Sequence, residues 1–399
     1  MRIGMMVDVY KPHVSGITNY ITLNKKYLEA AGQEVFVFTF GDENFQDDEP
    51  NVIRSAGMPL FHTDYYLSLS HSSQVRRLVS TMDVVHVHHP FLSGSQALIL
   101  CRPRGIPLIF TNHTRYDLYA QAYLGLPDVI GEAALQTYMR AFCRGMDLVI
   151  APSPGMRDIL LRFNVDCPIE VVPNGVELKS YRQAYQAVER SSLGFTERDV
   201  VLTYTGRLGP EKNLPFLLRC FGGAAQAYDY VRLLIIGDGP ERDNLQAQVH
   251  HMGIEPLVHF TGMLPYDRVP SYLAMADAFV TASVTEVHPL SVIEAMASGL
   301  PILGICSPGV GDTIQDGITG FLIEKEDLAA FTAKMVRMVV DQDLRHQMGQ
   351  QARQASEMYA IERTTQIMLD WYQKVIQRGT RRKRGIGPRL RRWWDGLRR

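Results

Sequence analysis

The chain has few cysteines, and no two of them lie close together. The five are spread over 399 residues, at Cys101, Cys143, Cys167, Cys220 and Cys306. This spacing argues against a disulfide framework and a cysteine-based metal site, and it favours a reducing, cytosolic compartment.

Long apolar runs are missing too. No stretch approaches the ~18 to 20 consecutive apolar residues of a membrane-spanning helix. The apolar start, Met1 to Val7, is too short for a signal peptide and is predicted to be a strand. Any membrane contact is therefore predicted to be peripheral.

A third absence concerns nucleotide binding. The sequence contains no GxGxxG fingerprint, which disfavours NAD as a ligand. The composition is otherwise that of a globular protein, with 46% hydrophobic and 21% charged residues, so general disorder is excluded. The length suffices for two domains.

The near-neutral charge hides an asymmetry. Residues 379–399 contain nine Lys or Arg and one acid, a net charge of +8. Because the whole chain carries −1, residues 1–378 carry −9. An acidic body with a strongly basic end predicts that the tail has an anionic partner.

Segments rich in Val, Ile and Phe alternate with helical stretches, which predicts an α/β protein with doubly wound parallel sheets. We predict strands at 3–7, 34–40, 83–90, 107–113, 147–153 and 169–173, and after a polar linker region (177–196) at 200–205, 231–237, 258–261, 278–282 and 301–304. The predicted parts are two Rossmann-like domains facing across a cleft, a helix that packs back on the first domain and a basic tail, with bounds 1–180, 181–360, 361–378 and 379–399.

The stretch 285–301 carries two glutamates. Glu286 is predicted on the loop after a buried strand, and Glu294 one turn into the helix that follows. The N-terminus of this helix, at Leu290 and Ser291, can bind a phosphate, and each carboxylate can accept hydrogen bonds from hydroxyl pairs. A capping acid with a solvated glutamate is the alternative.

Two cations mark another strand end. Arg207 and Lys212 lie five positions apart where a helix is predicted to begin, a place that disfavours cations unless an anion is bound there. Gly237 belongs to a glycine loop that could line a nucleoside. Gly16, after the first strand, would allow close approach of a ligand to the backbone.

Histidines gather at two strand ends. His86 and His88 share one face of a strand and His89 does not, and no acidic residue has ligand spacing, so a metal site is disfavoured. His113 ends the next strand, where catalytic groups collect, and a structural role remains the alternative.

Together these residues resemble the retaining glycosyltransferases of family 4, which have the GT-B fold. The resemblance covers residues 1–375 and rests on five segments in the family's order: Pro173 to Val176, GRLxxEK at 206–212, Gly237 to Pro240, the E-x7-E element at 286–294, and Asp316 to Leu322. Two positions depart from the family pattern, because Ser15 and Pro289 stand where glycine is common.

The resemblance implies a role for each candidate residue. The second domain would hold a UDP-sugar, with Arg207 and Lys212 on the diphosphate and Glu294 on the ribose. Glu286 and His113 would contact the transferred sugar. Further donor contacts would come from Gly16, Gly237, Leu290 and Ser291, and no cofactor or metal would be needed.

The segments 83–92 and 113–119 are most similar to bacterial diacylglycerol glucosyltransferases and related lipid-modifying members. This similarity implies a lipid acceptor, with Tyr116 and Tyr119 on the acceptor side. A soluble or glycan acceptor, and a non-catalytic binding protein with the same fold, are the alternatives.

The tail supports a membrane role independently. A helix from Pro388 onward would align tryptophans and leucines on one stripe and arginines on the other face, as in helices that lie in an anionic membrane interface. The residues of this predicted surface are Arg389, Leu390, Arg391, Arg392, Trp393, Trp394 and Leu397. Paired tryptophans favour a membrane over nucleic acid, and the predicted location is the cytoplasmic face of the membrane.

Overall fold

The computed structural model describes residues 1–59, 66–68, 70–118, 128–182 and 187–396, and the side chains of these except 128–132 and 380–396. Tyr119 and Leu397, two of the predicted binding residues, lie outside the described residues.

The first half of the chain forms a parallel sheet. Its elements down to β9 are β1 Arg2–Met6, α1 Gly16–Ala30, β2 Glu34–Gly41, β3 Val52–Ala56, β4 Met58–Pro59, β5 Tyr66–Leu67, α2 Ser73–Val79, β6 Val84–Val87, α3 Leu92–Cys101, β7 Leu108–Thr111, α4 Asp128–Cys143, β8 Leu148–Ala151, α5 Pro154–Arg162 and β9 Ile169–Val171. The strand order is β3-β2-β1-β6-β7-β8-β9, and β4 and β5 form a separate antiparallel pair.

Local sequence explains where these elements begin. The hydroxyl groups of Ser15, Ser72 and Ser153 accept hydrogen bonds from backbone N–H groups in the first turns of α1, α2 and α5. The central strands consist of Val, Ile, Leu and Phe with few polar residues, because helices cover both faces of the sheet.

The second half repeats this architecture. Its elements are α6 Lys179–Arg182, β10 Val200–Thr205, α7 Leu214–Ala227, β11 Val231–Ile236, α8 Arg242–Met252, β12 Val258–Gly262, α9 Val269–Leu273, β13 Ala278–Thr281, α10 Leu290–Ala297, β14 Ile302–Ile305, α11 Pro308–Thr313, β15 Gly320–Ile323, α12 Leu328–Val340 and α13 Gln342–Ala355. The strands pair in parallel in the order β12-β11-β10-β13-β14-β15.

Both sheets reverse their winding direction at one point. In the first sheet this point lies between β1 and β6, and in the second between β10 and β13. Crevices at the carboxyl ends of strands on either side of such a point are where doubly wound sheets bind ligands. The fold therefore predicts the site at the ends of these four strands.

The chain crosses between the halves twice, and the two crossings pair with each other. Val176 N donates to Tyr359 O at 2.9 Å, and Ile361 N donates to Val176 O at 3.0 Å. A side chain at Gly175 would collide with Ile361 and Thr364. Glycine is therefore required where the crossings touch.

The last helix, α14 (Ile361–Gly396), returns to the first half. Its buried side chains Met368, Leu369, Tyr372 and Val375 belong to the apolar cluster beneath β1 and α1. The same helix continues through the basic segment, so the backbone of residues 389–394 is helical.

Some elements were not predicted. The edge strand β3 has only Ser55 buried, and the edge strand β15 begins at the last glycine of a Gly-Ile-Thr-Gly turn and has only three apolar residues, Phe321 to Ile323. The predicted linker packs on the second half, since Arg190 donates to the carbonyls of Met275 and Asp199 and pairs with Asp277.

Candidate active site

Loops after the strands at the two switch points bring the candidate residues to one edge of each sheet. Gly16 follows β1, His88 follows β6, Arg207 follows β10 and Glu286 follows β13. His113 follows β7, the neighbour of β6.

Lys212 and Glu286 form an ion pair. Lys212 Nζ lies 2.7 Å from Glu286 Oε1, and both side chains are largely buried. The sequence predicted both residues as ligand contacts but not the contact between them. A diphosphate that binds Lys212 would therefore compete with Glu286 for the same ammonium group.

The loop that carries Arg207 rests directly on the loop of Gly237. The Cα of Gly237 faces the carbonyl of Gly206 so closely that a Cβ would lie 2.0 Å from that oxygen. Leu208 N donates to Asp238 O at 2.9 Å, and Gly237 N donates to Gly262 O at 3.1 Å. Gly237 thus supports the neighbouring loop, while Arg207 itself is exposed.

Hydrogen bonds to two other segments fix the loop that carries Glu286. Its carbonyl accepts a hydrogen bond from Gly309 N at 3.0 Å. The hydroxyls of Ser283 and Thr285 donate to the carbonyl of Glu211, the residue before Lys212. The loops that carry the two charges are therefore fixed relative to each other.

The residues after Glu286 bridge the two halves. Val287 is buried in an apolar cluster of the first half. His288 O accepts a hydrogen bond from Asn174 Nδ2 at 2.9 Å, and His288 Nδ1 accepts one from Asn174 N at 3.3 Å. Burial lowers the pKa of His288 to about 3, which is consistent with this accepting role.

The helix α10 begins at this bridge. Pro289 occupies the N-cap position rather than the first helical turn, and among the described side chains none caps this N-terminus. The N–H groups of Leu290 and Ser291, in the first turn, have no partner within the helix by the geometry of an α-helix. The positive end of the helix thus lies four residues beyond Glu286.

Glu294 is buried in α10 and bonds to a tyrosine. The Tyr266 hydroxyl donates to Glu294 Oε1 at 2.6 Å, and the ring of Tyr266 is partly exposed. Burial raises the pKa of Glu294 to about 6, against the opposing effect of this hydrogen bond. Tyr266 was not predicted, because no motif marks it.

On the first half, His113 is paired with His88. His88 Nδ1 lies 3.0 Å from His113 Nε2, and the Tyr20 ring packs edge-on against His113. Burial, with the neighbouring imidazoles, holds the pKa of both histidines well below the usual range. Both are therefore neutral at pH 7.

Gly16 lies in open space at the start of α1. A Cβ at this position would meet no protein atom within 4 Å. Ser15, which replaces a common glycine, caps the helix by accepting from Thr18 N at 3.2 Å. This substitution leaves the backbone at Gly16 accessible.

An aromatic surface includes Tyr116, three residues after His113 in the sequence. The rings of Phe91 and Tyr116 are 5.1 Å apart, and Phe91 also stacks on Tyr138 at 5.6 Å. Phe91 is 40% exposed, so this surface can contact an apolar ligand. Its signal in the sequence was the Pro-Phe pair directly after the histidine strand.

His86, inside β6, and His89, two residues after β6, each bond to groups of the protein. His86 bonds to Tyr372 and Thr111, and His89 Nδ1 accepts from Asp8 N. In the part of the chain that the structure describes, no group of three His, Cys, Asp or Glu side chains is arranged to hold a metal ion.

Comparisons with known proteins agree with this fold. The model of Glycosyltransferase Family 4 matches residues 14–180, and that of Glycosyl transferases group 1 matches residues 186–355. Alpha-monoglucosyldiacylglycerol synthase of Streptococcus pneumoniae is 32% identical over 340 residues, 82% of this chain and 77% of that protein. The protein of the same name from Acholeplasma laidlawii is 28% identical, over 82% of this chain and 86% of that protein.

A solved structure shows the same fold. HepE of Anabaena, in complex with UDP and glucose, superposes with a TM-score of 0.76 at 18% identity and covers 94% of this chain and 100% of its own. The two Rossmann-like sheets have the same strand order, and the relatives match most of the chain. Together these findings assign the family. The chain belongs to glycosyltransferase family 4, adopts the GT-B fold and is a glycosyltransferase.

Proposed function

We propose that the protein transfers a hexose, glucose in the first instance, from a UDP-sugar to a membrane lipid such as diacylglycerol, with retention at the anomeric carbon. The observation that carries this proposal is the Lys212–Glu286 pair next to the uncapped N-terminus of α10. A cation, a carboxylate and a helix N-terminus together match a sugar diphosphate.

The diphosphate would bind between the loops of the second half. Lys212 and Arg207 supply positive charge, and Leu290 and Ser291 supply backbone N–H donors. Gly16 would approach the phosphates from the first half, because its surroundings are open. Gly237 would position the loop of Arg207 by packing against Gly206, and it need not contact the donor itself.

The two glutamates divide the hydroxyl groups of the donor. Glu294, buried one turn into α10, would bind the ribose hydroxyls in place of Tyr266. Glu286, released from Lys212 by the diphosphate, would bind hydroxyls of the transferred sugar. His113 faces that sugar from the first half.

Transfer would then proceed on one face of the sugar. The bond from the anomeric carbon to the phosphate oxygen breaks, and a bond to the acceptor oxygen forms on the same face. The acceptor proton passes to the leaving phosphate oxygen, whose charge Arg207, Lys212 and the helix N-terminus stabilise.

Two observations favour a lipid acceptor. The two relatives described above are both named for glucosyldiacylglycerol synthesis, and the exposed ring of Phe91 packs against Tyr116, three residues after His113 in the sequence. We place the acceptor at this surface.

The basic segment 389–397 would hold the enzyme on an anionic membrane, with its tryptophans in the interface. None of the described helices has the length and apolar character needed to cross a bilayer.

Mass spectrometry of reaction products tests the proposal. The purified protein is incubated with UDP-glucose, UDP-galactose or GDP-mannose, each with diacylglycerol, with a monoglycosylated lipid or with a soluble sugar acceptor. We expect a hexosylated lipid from UDP-glucose, and an α linkage by NMR. Products only on soluble acceptors would overturn the lipid assignment, and a β linkage would overturn retention.

A further inference from the structure

His88 has no role in the proposed chemistry. It is nevertheless fully buried and contacts His113, which is proposed to face the transferred sugar. It follows β6 directly, and its backbone N–H donates to Met6 O at 2.9 Å. Its ring lies 4.3 Å from that of His86 and 5.3 Å from that of His113. One of its nitrogens, Nδ1, meets His113 Nε2.

The other nitrogen of His88 is isolated. Among the described residues, Nε2 of His88 is buried with no hydrogen-bond partner. A neutral imidazole carries one proton, so one of its nitrogens donates and the other accepts. The unpartnered nitrogen therefore limits where the proton of His88 can lie.

Two arrangements satisfy the contact between the rings. If His113 Nε2–H donates, the proton of His88 must lie on Nε2, which leaves a buried N–H group without an acceptor. If His88 Nδ1–H donates, Nε2 is a bare lone pair and His113 Nε2 is the acceptor. Buried N–H donors without a partner are rarer than buried acceptors without one. The second arrangement is therefore favoured.

The proton position on His113 follows from this choice. With Nε2 accepting from His88, the single proton of a neutral His113 lies on Nδ1. The ring of His113 is partly exposed, and its Nε2 is occupied by His88. Nδ1 is thus the nitrogen that a ligand in the cleft can reach, and it carries a hydrogen.

We propose that His88 is a positioning residue that fixes His113 as the Nδ1–H tautomer, so that His113 donates a hydrogen bond to an oxygen of the sugar donor. The identity of that oxygen rests on the proposed function. The tautomer rests only on the contacts of His88 and His113. His88 is separated from the ligand by His113 and need not touch it.

Nitrogen-15 NMR of the full-length protein labelled at histidine tests the tautomer without any substrate. The His113 signals are assigned by their loss in His113→Gln. We expect a protonated Nδ1 and a bare Nε2 on His113, and the same on His88. A protonated Nε2 on His113 in the unsubstituted protein overturns the proposal, whatever the enzyme transfers.

Three variants separate positioning from packing. His88→Leu removes the donor, so His113 should lose the fixed tautomer and kcat should fall roughly 10- to 100-fold, less than the ~10²- to 10³-fold loss of a direct donor. UDP affinity by calorimetry should stay within about threefold. His88→Asn places an amide N–H where Nδ1 lay and should restore most of the activity and the tautomer.

Tyr20→Phe is the matched control. Its ring still packs against both imidazoles and only the hydroxyl is lost, so the tautomer and kcat should not change. Unchanged kcat in a folded His88→Leu, or equal loss in Tyr20→Phe, would overturn the positioning role. If His88→Leu does not fold, the tautomer of His113 in the unsubstituted protein and in His88→Asn, measured by NMR, still tests the proposal.

Discussion

Lys212 Nζ lies 2.7 Å from Glu286 Oε1, so the cation proposed for the diphosphate and the carboxylate proposed for the sugar neutralise each other. Each comes from a different loop, and the carbonyl of Glu211 ties the two loops together. Substitutions at the two positions should therefore affect donor binding in opposite directions.

Glu286→Ala should abolish transfer and leave UDP binding intact or tighter, because Lys212 is released for the diphosphate. Lys212→Met should weaken UDP binding by roughly 10- to 100-fold, the loss of a charge-assisted contact. Calorimetry with UDP and the initial rate of transfer measure the two effects. Full activity in Glu286→Ala would refute the assignment of this residue, and additive effects in the double variant would contradict the competition.

The buried Glu294 predicts a pH dependence of donor affinity. Its pKa is about 6 in the free protein, so the carboxylate that accepts ribose hydroxyls is lost as the pH falls through 6. If only the ionised form binds, affinity for a UDP-sugar should drop about tenfold between pH 7 and pH 5. UDP-glucose is the ligand to use, because the terminal phosphate of UDP itself titrates near pH ~6.

Tyr266→Phe sharpens this test. Its hydroxyl donates to Glu294 and favours the ionised form, so removing it should raise the pKa of Glu294 and move the pH midpoint upward. Glu294→Gln should bind UDP-glucose weakly with no step near pH ~6. A step that persists in Glu294→Gln would assign the titration to another group.

Gly16→Ala separates folding from ligand approach. The added methyl group meets no protein atom within 4 Å, and Gly16 has no positive φ. The free energy of unfolding should therefore change by less than about 1 kcal/mol. Activity should nevertheless fall if a phosphate lies against this backbone. A fully active Gly16→Ala would remove Gly16 from the proposed site.

Gly309→Ala, unlike Gly16→Ala, should destabilise the folded protein. Its Cβ would lie 2.4 Å from the carbonyl carbon of Val287, so the loop of Glu286 must move. We expect destabilisation of roughly 1 to 3 kcal/mol and a loss of kcat, measured by chemical unfolding and by transfer rates. Gly223→Ala, which meets only the Thr332 side chain at 3.2 Å, is the control and should remain active.

Deletion of residues 380–399 should release the enzyme from membranes without damaging its fold. The buried side chains of α14, from Met368 to Val375, remain in place. Because each basic residue near an anionic surface adds about 1 kcal/mol before screening, sedimentation with anionic vesicles should be lost. Activity on the lipid should fall far more than hydrolysis of the donor.

Trp393→Ala with Trp394→Ala keeps every charge and tests the proposed apolar stripe. Vesicle binding should weaken, whereas binding to nucleic acid would be unaffected by these changes. Unchanged sedimentation of the deletion variant with anionic vesicles would contradict the membrane role.

The sequence predicted the sheets better than it predicted the contacts within the site. Central strands such as β7 and β8 are fully buried and almost entirely apolar, and helices meet both faces of their sheet, so pattern alone located them. The edge strand β3 has only one fully buried residue, Ser55, and it was missed. The buried strand before Glu286 and the helical pattern from Leu290 placed Glu286 on a loop and Glu294 in a helix, as the structure has them.

Contacts between distant segments had no local signal. The Lys212–Glu286 pair joins residues 74 positions apart, and the His88–His113 pair depends on β6 and β7 being neighbours in the sheet. His88 was recognised only as a member of a histidine cluster, because periodicity gives the face of a strand but not the partner opposite it.

The return of α14 to the first sheet also sets the order in which the protein can fold during synthesis. His86 bonds to Tyr372 across 286 positions of the sequence. At ~5 to 20 residues per second, a ribosome needs roughly 15 to 60 s to make that intervening chain. The first half is made first but completes its core last, so the nascent protein leaves the surface beneath β1 uncovered while the second half is being built.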